Sequence, residues 1–151
     1  MTNRYRGTEE ERTALDAWVK LARAAATVAA RTHERAARCR GLTETQFAVL
    51  EALLHCGPMT HTQLSGRILM SGSNVTTVVD NLERKGWVCR ERDARDRRVG
   101  VVSLTEEGRA LIAEIFPEHA RGVAEILGTL TAEEQRELAR LCRKLGLGAC
   151  G

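Results

Sequence analysis

A mainly helical chain with one small β-hairpin is the fold this sequence predicts, and three observations predict it. Two short stretches, 43–56 and 60–69, each open on a Thr with a Gln three residues later, and the first stops at Gly57 and Pro58. These are capping-box and stop signals of compact helices. A third stretch, which Ser71 or Ser73 can cap and Gly86 closes, carries Val75, Val78, Val79 and Leu82 at i, i+3, i+4 and i+7, a single apolar face. Two β-branched runs, WVCRER and VGVVSL, then flank the polar loop DARDRR, as a hairpin requires. Short helices joined by a tight turn and followed by a basic hairpin make a winged helix-turn-helix.

Long helices flank that centre. Leu15, Val19, Ala22, Ala26 and Ala29 recur at three- and four-residue spacing over 9–38, with no Gly or Pro between 9 and 38 and Gly41 just beyond. The alanine-rich face allows close helix approach. Thr105 caps another helix, with Glu106 and Glu107 in a first turn that favours negative charge. Leu111, Ile112, Ile115 and Phe116 are its apolar positions; Pro117 is expected to kink or restart it, and Val123, Ile126, Leu127 and Leu130 follow. Thr131 with Glu134 opens a last helix bearing Leu138, Leu141 and Leu145. One domain over 1–151 is expected, with a winged lobe at 43–104 and dimerisation helices at 9–40 and 105–147. The terminal helices cannot bury their faces on so small a centre, so they call for a partner chain.

Charge is placed unevenly. Residues 84–98 hold seven basic side chains (Arg84, Lys85, Arg90, Arg92, Arg95, Arg97, Arg98) against Glu91, Asp93 and Asp96, an excess of four, while the whole chain carries +3. The rest is therefore close to neutral, and the positive field is local, as a polyanion site demands. A winged-helix module for protein partners is the alternative, and this concentration of charge speaks against it. Aromatic residues make up only 3%, too few for base-stacking platforms. No run approaches the ~20 apolar residues of a membrane span, and MTNRYRGTEEER has no apolar signal region. Five cysteines without paired spacing lead us to expect reduced thiols in a cytoplasm.

Two segments carry a family resemblance. DARDRRVGVVSLTEEG resembles the wing signature Asp-x-Arg-Asp-x-Arg followed by an apolar strand and Leu-Thr-x-x-Gly of the MarR family (multiple antibiotic resistance regulators) of bacterial transcription factors, matching at Asp93, Arg95, Asp96, Arg98, Leu104, Thr105 and Gly108. NVTTVVDNLERKGWV is similar to that family's recognition helix running into the wing, at Val75, Thr76, Leu82, Glu83, Gly86 and Val88. The resemblance implies a homodimer on double-stranded DNA with a palindromic operator, repressing transcription until a small molecule or oxidant arrives. It places Ser71, Ser73, Asn74, Thr76 and Thr77 at base edges and phosphates in the major groove, where the alternative is ordinary capping and solvated surface. It favours Arg95 as the side chain inserted in the minor groove, beside Arg97 and Arg98. Asp93 and Arg98 are expected to brace the hairpin as an ion pair. Arg84, Arg90 and Arg92 are phosphate candidates, and the helix start at Thr60, His61, Thr62 and Gln63 is a further one.

Other chemistry finds little support. Cys39 lies between Arg38 and Arg40, where nearby cations favour thiolate, so a thiol-based redox regulator of the same fold is the second reading. Oxidant-sensing relatives carry their reactive cysteine nearer the start of the first helix, and this chain has none there. Cys56, Cys89 and Cys142 read as core or strand residues. His55, Cys56 and His61 match no standard zinc spacing. No nucleophile elbow or phosphate loop is present, so we expect neither an enzyme nor a cofactor. The effector's identity and site are not legible.

Overall fold

The computed structural model describes residues 5–38, 40–68 and 72–149, and the side chains of these except 33–38, 73 and 147–149. The elements are α1 (Glu9–Arg38), α2 (Glu44–Cys56), β1 (Met59–Thr60), α3 (His61–Ile68), α4 (Gly72–Arg84), β2 (Val88–Arg92), β3 (Gly100–Leu104), α5 (Glu106–Leu127) and α6 (Ala132–Ala149). They divide into two compact units, Met1–Thr32 with Arg121–Gly151, and His33–Ala120.

In the unit made of the chain's two ends, α1 begins on a capping box: Glu11 N–H donates to Thr8 Oγ1 at 3.2 Å and Thr8 N–H to Glu11 Oε2 at 2.8 Å. The expected box at α6 is also formed, through Thr131 and Glu134. Apolar side chains on both helices face solvent. Leu15, Trp18 and Val19 of α1 are exposed, Trp18 by 62%, and so are Leu138, Leu141 and Leu145 of α6.

The second unit holds the core. Val75, Val79 and Leu82 of α4 are fully buried against Val49, Leu50 and Leu53 of α2, Leu64 of α3 and Ile112 of α5. Both predicted capping boxes here are formed, Thr43 with Gln46 and Thr60 with Gln63. The hairpin pairs Val88 with Leu104 through to Arg92 with Gly100. The sequence predicts this hairpin alone, but Met59 and Thr60 add a third strand, giving the order β1-β3-β2 with Met59 opposite Val102. A two-residue strand has no periodicity, so only the tertiary pairing reveals it. Of the two outcomes expected at Pro117, the restart does not occur: α5 runs on through it as one helix. Ile112 and Ile115 are buried before the proline, and after it the His119 ring packs 4.7 Å from Phe47. Packing on both sides opposes a helix break worth roughly 3 kcal/mol.

One knot joins four elements. Gly86, at φ 75°, ends α4 in the left-handed region that glycine enters without strain. Thr105 Oγ1 donates to the Gly86 carbonyl at 2.6 Å and accepts the Gly108 N–H at 3.0 Å, while Thr105 N–H donates to the Trp87 carbonyl at 3.1 Å. The backbone of α5 comes so close that a Cβ on Gly108 would lie 1.8 Å from the Trp87 oxygen. Ala is ordinarily favoured over Gly inside a helix by up to ~1 kcal/mol. Here we expect the opposite sign: Gly108→Ala should lower unfolding stability by about 1–3 kcal/mol, because backbone must move to admit the methyl. A urea midpoint at or above the parent's would show that the close approach is dispensable.

Candidate nucleic-acid interface

The apolar face of α4 is committed to the core, which leaves its polar face outward. Asn74, Thr76 and Thr77 are exposed there, and Arg84, also exposed, donates from Nη2 to Asn81 Oδ1 at 2.5 Å. Ser73 lies within α4; its side chain and all of Ser71 lie outside the described residues. Ahead of this helix stands the start of α3, where His61 Nε2 lies 2.7 Å from Thr76 Oγ1. That link joins α3 to the polar face of α4, and sequence spacing gives no hint of it.

The wing loop is built by its aspartates. Asp93 Oδ1 accepts the Arg95 N–H at 2.8 Å, and Asp96 Oδ1 accepts the Arg98 N–H at 3.0 Å. Asp-x-Arg repeated twice is thus two successive Asx turns. Backbone bonds from Asp93 N–H to Val99 O and from Val99 N–H to Asp96 O close the loop, at 2.9 and 3.0 Å. Arg92 donates to the Arg97 carbonyl at 3.1 Å. This corrects the expected Asp93–Arg98 ion pair. Asp93 spends its carboxylate on backbone two residues ahead, and Arg98, its side chain 93% exposed, makes only a long contact with Asp96 at 3.5 Å. Arg95, Arg97 and Arg98 all stand exposed on a loop fixed from within.

Arg90 also departs from expectation. Its guanidinium donates to Asp80 Oδ1 and to Glu83 Oε2, each at 2.5 Å, so it is not a free phosphate-facing cation. Partial burial works against its charge, but the hydrogen bonds and charges of Asp80 and then Glu83 outweigh it and hold the guanidinium above its ordinary range. The result is a brace from β2 to the outer side of α4. The sequence signal was available: carboxylates at 80 and 83 share one helix face, and Arg90, two residues after buried Val88 and opposite buried Val102, lies on the strand face turned toward the core.

The thiols divide differently from expectation. Cys56 and Cys142 are exposed, and only Cys89 is half-buried in a strand, its Sγ 3.3 Å from Ser103 Oγ. Cys39 lies outside the described residues. His55 packs on Phe116 and His61 on Thr76; among the described residues no three His, Cys, Asp or Glu side chains converge on a point that could hold a metal. No helix among them is long and apolar enough to cross a membrane.

Helices α3 and α4 followed by the β2–β3 hairpin, whose sheet β1 completes and whose arginine loop is fixed, define a winged helix-turn-helix DNA-binding regulator. The chain belongs to the MarR family, whose sequence pattern matches residues 42–99. It is 38% identical over 109 residues to the HTH-type transcriptional regulator MhqR of Bacillus subtilis, covering 72% of this chain and 75% of MhqR. The fold is similar to that of Sco3205, a MarR family transcriptional regulator from Streptomyces coelicolor solved in complex with DNA, with a TM-score of 0.78 at 24% identity over 97% of this chain and 92% of that one. It is also similar to BpsR of Bordetella bronchiseptica, whose DNA binding is regulated by 6-hydroxynicotinic acid, with a TM-score of 0.72 at 28% identity over 83% and 89% of the two chains.

The Arg90 brace can be tested directly. Arg90→Ala leaves Asp80 and Glu83 without their cation beside the polar face of α4. Exposed pairs of this kind contribute little stability, so the loss on unfolding should stay under about 1 kcal/mol, while DNA affinity falls at every sequence. Adding Asp80→Asn and Glu83→Gln should recover part of that affinity in a fluorescence anisotropy titration. Unchanged binding by Arg90→Ala alone would dismiss the brace.

Proposed function

We propose that the chain is a dimeric repressor that grips a two-fold operator and releases it when a small molecule binds. The observation that carries this reading is the wing: three exposed arginines on a loop whose backbone is already closed by Asp93 and Asp96. Preorganisation lets the cations enter a groove with little ordering cost. Arg95 is the residue for the narrow minor groove, with Arg84, Arg92, Arg97 and Arg98 toward phosphates. Asn74, Thr76 and Thr77 face the major groove, and Ser71 and Ser73 belong to the same approach. Sco3205, with its bound DNA, and BpsR, with its small-molecule effector, support the two halves of the reading. The role has no catalytic step and needs no cofactor, and its place is the cytoplasm, with the DNA.

A second copy of the chain is the partner for the exposed apolar stripes of α1 and α6. Leu15, Trp18 and Val19 sit at i, i+3 and i+4, and Leu138, Leu141 and Leu145 at i, i+3 and i+7, the spacing of a helix contact face. A two-fold dimer presents two copies of α4, so half-site centres should lie about one turn of B-DNA apart, roughly 10 base pairs. Leu138→Glu with Leu141→Glu should convert the dimer to a weakly binding, destabilised monomer in light scattering at micromolar concentration. A parent protein that is already a stable monomer would refute the assembly.

Salt dependence tests the wing. Arg95→Ala should weaken binding to operator and scrambled DNA alike by about 1–3 kcal/mol per half-site, and make log K against log salt shallower by about one unit per lost contact. Asn74→Ala or Thr77→Ala should leave the slope nearly unchanged while discrimination against altered operators falls. An Arg95→Ala variant with parental affinity and slope would show that the loop does not meet DNA.

A further inference from the structure

His61 opens α3, and its ring lies against the beginning of α4: a Cβ on Gly72 would sit 3.5 Å from His61 Cε1. Its Nε2 is 2.7 Å from Thr76 Oγ1, and that hydroxyl is also 3.0 Å from the Gly72 carbonyl oxygen. A hydroxyl has one hydrogen to donate and two lone pairs with which to accept. If the hydrogen goes to Gly72 O, His61 donates Nε2–H to Thr76 and one lone pair remains. If the hydrogen goes to an unprotonated Nε2, both lone pairs remain. In either tautomer nothing is left to donate outward.

We propose that His61 is a specificity-determining positioning residue, which together with the Gly72 carbonyl holds Thr76 as an acceptor-only reader of an exocyclic amino group in the major groove. Phosphate oxygens only accept, so Thr76 cannot bond to the DNA backbone. Guanine O6 and N7, adenine N7 and thymine O4 accept as well, which leaves the amino groups of adenine N6 and cytosine N4. The polar face of α4 is therefore not a set of interchangeable hydroxyls. Thr76 has its hydrogen-bond sense fixed by a residue of the preceding helix. This inference rests on the reading that α4 enters the major groove.

The test removes the amino group chemically. The full-length protein selects its operator from random DNA, and each half-site adenine is then replaced singly by purine and each cytosine by 2-pyrimidinone. At one position per half-site, loss of the amino group should weaken the parent protein roughly three- to tenfold, the worth of one neutral hydrogen bond. Thr76→Val, which keeps the shape and loses the oxygen, should be insensitive to the same replacement. His61→Phe should lose most of that sensitivity with an unchanged unfolding midpoint, and His61→Gln, which can still donate, should keep more of it. Coupling of Thr76 to an acceptor instead, revealed by 7-deazapurine at the same base pair, would overturn the proposal, as would the absence of coupling at any position. A parent protein that selects no sequence would sink the major-groove reading as well. Selection without coupling to Thr76 would sink this proposal alone.

Discussion

Thr105 holds the winged unit at the point where four segments meet. Its hydroxyl bonds to the last turn of α4 through Gly86 and to the first turn of α5 through Gly108, while its backbone bonds to Trp87 at the entrance to β2. Because Thr105 directly follows β3, the wing cannot tilt without disturbing the end of α4. The absence of a side chain at Gly108 is what allows this approach. The Arg90 brace adds a second, polar tether a few residues further along β2. Together they turn a hairpin, marginal on its own, into a part whose angle to α4 is set by the core.

The wing separates two tasks that its composition merges. Asp93 and Asp96 do not chiefly neutralise the neighbouring arginines; their carboxylates are engaged mainly by backbone N–H groups of the same loop. The acids shape the loop and leave the cations outward, so a segment with three acidic residues still presents an arginine surface. The helix works by the opposite economy of charge. Its outward face carries small polar groups, and Arg90 of the neighbouring strand is held by two of its carboxylates. On the proposed reading, electrostatic grip and base discrimination fall to different elements, which is why salt can separate them experimentally.

The two units differ in how their apolar surface is satisfied. Residues 33–120 bury theirs in a shared core of α2, α3, α4, α5 and the sheet. The helices of the other unit keep leucines and a tryptophan in solvent, an arrangement that association relieves. On this reading the stability of the terminal unit depends on protein concentration, whereas the winged unit carries its own core.

The sequence by itself determined the element order, the capping boxes at Thr43, Thr60 and Thr131, the buried stripe Val75, Val79 and Leu82, and the arginine loop. Each is a local pattern, written in spacing of three, four or two residues or in the turn chemistry of a few neighbours. The resemblance of 71–108 to a known family rested on the same local signals. Only the tertiary structure decided the third strand, the passage of α5 through Pro117, the partners of Arg90 and Asp93, and the contact of His61 with Thr76. Those depend on which surfaces the chain brings together across ten or more residues, or on which of several nearby hydrogen-bond donors reaches a carboxylate first. Spacing alone does not encode such a competition; packing resolves it.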